Sequence, residues 1–175
     1  GDVLGILPEN SVEDILRLQK YLRADNAETY FLGGRYESDE GKQYRREDAL
    51  KFVALNPVRI ETLQLLKQRL DELTNLSAHL EKGKFILSKI IQTYQFNPKT
   101  GQALLKHQHL TDVLEHLPNL ITLQEICNLQ NGNYRRVYTI SGVERDKKGI
   151  PTTIQILVAG DVAYTVPDIG FNAGD

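Results

Sequence analysis

The sequence contains no methionine and only one cysteine, Cys127. A single thiol excludes an internal disulfide and a zinc site built from several cysteines, and it suits a reducing compartment. No apolar run approaches the roughly 20 residues that a membrane-spanning helix needs. The first residues also lack the basic-then-apolar pattern of a signal peptide. We therefore expect a soluble, cytoplasmic protein with no transmembrane segment.

The chain also lacks a strong charge of either sign. Its formal net charge is −2, so no long-range field would draw in nucleic acid, and we expect no nucleic-acid partner. The densest basic cluster is short, because Asp146 interrupts Arg145, Lys147 and Lys148. Its residue types predict a solvated hairpin tip.

Position 1 is Gly1 and the last residue is Asp175. With no methionine at the start and no stop signal of its own in the last residues, we expect a fragment excised from a longer polypeptide. Residues 168–175 are expected to form a flexible tail. A chain of 175 residues has the size of one ordinary domain and buries enough surface to fold without a disulfide or a metal.

Most of the chain shows the apolar spacing of amphipathic helices. Ser11 has the side chain of a helix N-cap. The clearest pattern lies between residues 58 and 95, where leucines step by threes and fours, as in helices packed side by side. It predicts two helices, 58–74 and 76–95, with one long helix as the alternative. Further helices are predicted at 11–25, 46–55, 100–116 and 120–129.

Near Gly132 the apolar period changes from about 3.6 to 2, the spacing of a strand. The pattern predicts a three-stranded antiparallel meander with strands at 134–144, 151–158 and 162–166, and a separate hairpin at 28–37. The predicted fold class is α+β. A helical bundle of about five to six helices (1–131) packs on the small C-terminal sheet (132–167). Because so small a sheet is marginal alone, we expect a single co-folded domain, 1–175.

The candidate catalytic residues are one thiol and three histidines. An activated cysteine needs a nearby base and a polar setting, whereas Cys127 lies between apolar neighbours on a predicted helix. His107, His109 and His116 are the candidate bases. Their spacing lacks the four-residue step typical of metal-binding pairs on helices. We therefore expect a buried, inert cysteine and exposed histidines, with no metal and no cofactor.

Two segments suggest binding. Glycine turns can point backbone amides at an anion, and aromatic side chains beside arginines can anchor an interface. The residues concerned are Gly33, Gly34 and Arg35 in the first segment, and Tyr134, Arg135, Arg136 and Tyr138 in the second. We nevertheless expect an ordinary turn in the first segment and an ordinary sheet face in the second, with the binding roles as the alternatives.

The abundance of leucine stripes and the lack of a catalytic signature favour a non-catalytic interaction or regulatory domain. We expect it to bind a protein partner, another region of the parent chain or a second copy as a homodimer, through a leucine-rich helical surface. The alternatives are a hydrolase or transferase that uses Cys127 with a histidine, and a regulatory domain that binds a small ligand between sheet and helices.

Overall fold

A computed structural model describes residues 2–33, 42–97, 99, 102–105, 108–133, 136–158 and 162–167. The described residues form a mixed α+β structure. Their helices are α1 (Val12–Tyr21), α2 (Arg46–Phe52), α3 (Ile60–Glu72), α4 (Ala78–Gln92), α5 (Leu110–Glu115) and α6 (Leu123–Gln130).

The strands form three sheets, in which the pairs are antiparallel. A four-stranded sheet has the order β1-β7-β8-β9, a two-stranded sheet pairs β2 with β3, and a three-stranded sheet has the order β4-β6-β5. The strands are β1 (Val3–Ile6), β2 (Tyr30–Phe31), β3 (Gln43–Tyr44), β4 (Val58–Arg59), β5 (Gln95–Asn97), β6 (Gln102–Leu105), β7 (Arg136–Arg145), β8 (Pro151–Val158) and β9 (Val162–Pro167).

The chain forms two compact units. The first comprises Gly1–Pro8 and Tyr134–Asp175 and contains the four-stranded sheet, and the second is Glu9–Asn133 with the helices and the two smaller sheets. In the sheet unit, Leu4, Ile154 and Ile156 form a small buried cluster. That the helices and the sheet fold as one domain stays a prediction.

The leucines of the helical stripe fill the interior of the helical unit. Leu63, Leu66 and Leu70 on α3 and Leu87 on α4 are fully buried, as are the apolar residues of α5 and those of α6 except the partly buried Leu129. Burial of each such side chain contributes about 1.5–3 kcal/mol. The predicted leucine stripe is therefore mostly core rather than an exposed groove.

Gln130, at the end of α6, is a buried polar residue with every hydrogen bond made. Its side-chain oxygen accepts from the Arg59 amide at 2.8 Å and from the Thr62 hydroxyl at 2.7 Å. Its side-chain amide donates to the carbonyls of Ala54 and Pro57. Because an unpaired buried amide is costly, this one side chain fixes the segment before α3 against α6.

The predicted helix at 100–116 is wrong over its first half. Gln102–Leu105 is strand β6, which pairs with β4 and β5, and α5 begins only at Leu110 after the N-cap His109. The sequence at residues 97–101 has the proline, asparagine and glycine of a turn. A four-residue apolar strand after such a turn has no period that distinguishes it from a helix.

Between residues 58 and 95 the structure has two helices, not one. α3 starts two residues later than predicted because Val58–Arg59 pairs with β6. The C-terminal meander is confirmed, and β1 joins it as an unpredicted fourth strand. Tyr30–Phe31 is a strand as predicted and pairs with Gln43–Tyr44, whereas the predicted return strand, 35–37, lies outside the described residues.

Gly83 brings α4 close to the end of α5. A Cβ atom at this position would lie 2.1 Å from the backbone oxygen of His116, so no larger residue fits without backbone movement. Gly83 and Leu87 are buried and lie one turn apart on the inward side of α4. The contact therefore sets which side of α4 faces away from the core.

We predict that Gly83→Ala destabilises the protein by about 1–2 kcal/mol. Overpacking against a backbone that cannot yield costs about 2–3 kcal/mol, the upper part of its usual range, and the roughly 1 kcal/mol that alanine gains over glycine in an open helix offsets part of this cost. Urea unfolding of both proteins measures the difference. Ser88→Ala, on the exposed side of α4, is the control and should change stability by less than about 0.5 kcal/mol. A Gly83→Ala protein that is more stable than the parent would contradict the close contact.

Candidate interaction surface

Cys127 lies on α6 and is fully buried in the leucine-rich interior. Burial raises the pKa of the Cys127 thiol to about 12, and the negative charge of Asp25 acts in the same direction. The thiolate is the reactive form of cysteine. At neutral pH this thiol stays protonated, so the geometry gives no support to a cysteine nucleophile.

The structure places the candidate histidines at the two ends of α5. His109 caps the start of the helix, where its Nδ1 accepts from the Thr111 amide, and its Nε2 lies 3.5 Å from a carboxylate oxygen of Asp14. His116 is the C-cap. His107 lies outside the described residues. Within the part of the chain that the structure describes, no three histidine, cysteine, aspartate or glutamate side chains converge as metal ligands.

Gly33 is the described residue of the glycine segment, and its contacts are with other parts of the fold. The carbonyl of Gly33 accepts a hydrogen bond from the Gly132 amide at 2.9 Å. The side chain of Asn131 lies against the Cα of Gly33, where a Cβ would collide with it. Gly34 and Arg35 lie outside the described residues. The anion cradle stays a prediction that no described contact supports.

The aromatic and arginine segment opens the first strand of the meander. Tyr138 is half-buried on β7 and packs against the small sheet cluster that contains Leu4. Arg136 is the first residue of β7, and Tyr134 and Arg135 lie outside the described residues. Tyr138 therefore contributes to the apolar cluster of its own sheet, and an interface role for the segment stays a prediction.

A polar cluster that the sequence analysis missed joins three distant segments. The Tyr30 hydroxyl donates to Asp25 at 2.7 Å and accepts from Arg46 at 2.9 Å. The second oxygen of Asp25 accepts from the Gln124 amide in the first turn of α6. Burial raises the pKa of Tyr30, and its bond to Asp25 adds to this shift. These bonds tie the loop that carries Asp25 and Tyr30 to α2 and to the start of α6.

Three large apolar side chains on the described helices are exposed to solvent. Val12 and Leu16 on α1 are 73% and 61% exposed, and Phe85 on α4 is 64% exposed. Single exposed apolar residues are common on protein surfaces. These three deserve comparison because each is flanked by charged residues on a regular helix, an arrangement found in helical recognition surfaces.

The outward side of α4 carries Phe85 between two lysines. Lys82 precedes the phenylalanine by one turn and Lys89 follows it by one turn, so all three share one side of the helix. The Lys89 ammonium lies 5.3 Å from the centre of the Phe85 ring. Lys84, in contrast, is directed to Asp71 of α3, at 3.6 Å. We refer to Lys82, Phe85 and Lys89 as the α4 face.

None of the helices in the described ranges has the length and apolar character to cross a bilayer. No protein-family model matches the chain, and no curated protein matches it in sequence.

We predict that Cys127 resists alkylation by iodoacetamide in the folded protein and reacts readily after unfolding in urea. A buried thiol with a raised pKa supplies no thiolate at pH 7–9. Mass spectrometry of the two samples measures the modification, and Cys127→Ala is the control for reaction elsewhere.

The raised pKa of Cys127 also makes the free energy of unfolding depend on pH in the alkaline range. Because the pKa of Cys127 is raised in the folded state, its contribution to stability is complete below the thiol's unfolded pKa of about 8.5. That contribution falls as the pH rises towards about 12. Alkylation of Cys127 in the native protein at the rate of a free thiol would contradict both the burial and the raised pKa of this thiol.

Proposed function

We propose that this chain is a non-catalytic protein-binding domain that contacts its partner through the α4 face. The observation that carries the proposal is the position of Phe85, 64% exposed on a helix whose other side is fixed to the core. The partner surface that fits it presents an apolar side chain with at least one acidic residue beside it.

The chemistry of Phe85 supports this assignment. Aromatic side chains are enriched among the residues that carry most of the energy at interfaces, and full burial of a phenylalanine contributes about 1.5–3 kcal/mol. Lys89 lies beside the ring, and this cation–π contact limits the orientations that the ring samples. A side chain that is already restricted loses less entropy when a partner covers it.

The surroundings of Phe85 enlarge the apolar area. Ile86 is only half-buried and is not among the residues packed against the leucine core. It adjoins Phe85 on the same stretch of α4. The exposed Phe85 and the half-buried Ile86 both add apolar surface to the part of α4 that carries the lysines, in keeping with the apolar centre and polar rim typical of an interface.

The charges of α4 indicate the sign of the charge that a partner residue carries. In the described residues neither Lys82 nor Lys89 forms an ion pair, whereas Lys84 is paired with Asp71. Unpaired lysines around an apolar patch attract acidic residues and repel basic ones. An apolar segment that places at least one acidic residue beside these lysines is therefore the complement that this surface selects.

We predict that Phe85→Ser weakens binding to the partner at least about tenfold, since the loss of an aromatic anchor costs more than about 1.4 kcal/mol. Tagged protein captures the partner from native lysate, mass spectrometry identifies it, and calorimetry with the purified partner measures the affinity. Phe85→Ser should leave unfolding unchanged to within about 0.5 kcal/mol, because the side chain is exposed.

Leu73→Ser is the matched control, because Leu73 is also an exposed apolar residue, 42% accessible at the end of α3. It should bind like the parent. Equal loss of binding in both variants, or full binding by Phe85→Ser, would contradict the proposal. So would the failure of the parent protein to bind either another protein or a second copy.

A further inference from the structure

The outward side of α1 complements the α4 face. Val12 and Leu16 lie one turn apart on the same side of α1 and are both mostly exposed. The opposite side of α1 is directed to α5, where Arg17 pairs with Asp112 at 2.8 Å. α1 therefore presents an apolar ridge to solvent, as α4 presents Phe85.

Charged residues flank Leu16 and Phe85 in the same order along the chain. On α1, Glu13 lies in the first turn and Lys20 in the last turn. On α4, Glu81 lies in the first turn and Lys89 in the last turn. When two such helices meet in antiparallel orientation, each acid faces a base of the other helix.

The spacing of the charges fits this alignment. Glu13 and Lys20 are seven residues apart, or about 10.5 Å along a helix, and Glu81 and Lys89 are eight apart, or about 12 Å. With Glu13 near Lys89 and Lys20 near Glu81, Leu16 comes opposite Phe85. Antiparallel helix dipoles favour the same orientation.

From this complementarity we infer that the partner of the α4 face is α1 of a second copy of this chain. The inference rests on the proposed function and names the occupant of that surface. The two faces differ, so the contact is heterologous, and it either closes into a ring or extends into a chain of copies. The formal net charge of −2 leaves little general repulsion between copies.

The contact is expected to be weak. One pair of helices buries less area than a standard protein interface, so we expect a dissociation constant above about 1 μM. Since the flanking ion pairs are exposed, salt should weaken the association further.

The test is sedimentation velocity of the whole chain over a range of concentrations. The parent should associate reversibly, and Glu13→Lys or Lys89→Glu alone should each weaken association at least about fivefold, because each places like charges together. An equimolar mixture of the two variants should regain the parent's affinity to within about twofold. In a contact between the two variants each acid again meets a base, whereas contacts between two copies of the same variant stay mismatched. Circular dichroism confirms that each variant is folded.

The Lys82→Gln variant distinguishes a second copy of this chain from a different partner on the α4 face. In the antiparallel alignment Lys82 has no acidic counterpart, so Lys82→Gln should leave self-association unchanged or strengthen it. The affinity of a different, acidic partner for the α4 face would instead fall in the Lys82→Gln variant.

Three results would overturn the second copy as the partner. They are a parent that stays monomeric at every concentration, charge reversals that leave association unchanged, and a mixture that does not recover. If the parent is monomeric but binds another protein in a Phe85-dependent manner, the inference falls and the proposed function stands.

Discussion

The close contact between Gly83 and the backbone of His116 determines what the surface of the helical unit offers to a partner. It fixes the rotation of α4 about its own axis, because only the glycine side of the helix fits against the end of α5. Leu87 follows one turn later into the core. Phe85 is then left on the opposite side, at a cost that burial in the core would have avoided.

α5 extends the effect of this contact to α1. This short helix binds α1 through Asp112 and Arg17, and the backbone carbonyl of Glu115 at its C-terminal end accepts a hydrogen bond from Nε2 of His79 on α4, at 3.0 Å. Contacts with α5 thereby fix the inward sides of both α1 and α4. The outward sides of α1 and α4 carry their charges in the same order along the chain, so they complement each other in antiparallel orientation, which is the basis for the inferred contact between copies.

The sequence revealed the long elements well. The leucine period located α3 and α4, and the change of period near Gly132 located the C-terminal meander. It did not reveal β1, β4, β5 or β6, because strands of two to four residues depend on partners far away in the chain rather than on a local pattern. Val58 and Leu105, which pair across the three-stranded sheet, give no local sign of their pairing.

The candidate surface was only partly visible in the sequence. The apolar neighbours of Cys127 correctly predicted its burial, whereas the exposed Phe85 reads as one more core residue in a leucine-rich helix. A signal was present: Phe85 falls outside the series Leu80, Leu87 and Ile91, which defines the inward stripe. Its exposure nevertheless depends on the contact at Gly83, and that contact joins segments distant in the chain.

Hydroxyl-radical footprinting of Phe85 tests the central claim most directly, since it measures how much of the ring faces water. In dilute protein the ring should be oxidised at a rate close to that of an exposed phenylalanine, and Phe31, 45% exposed, serves as the internal reference. Oxidation of Phe85 should fall as the protein concentration rises, while that of Phe31 stays constant. A Phe85 ring that is already protected in the dilute monomer would show that α4 is rotated differently and would contradict the account.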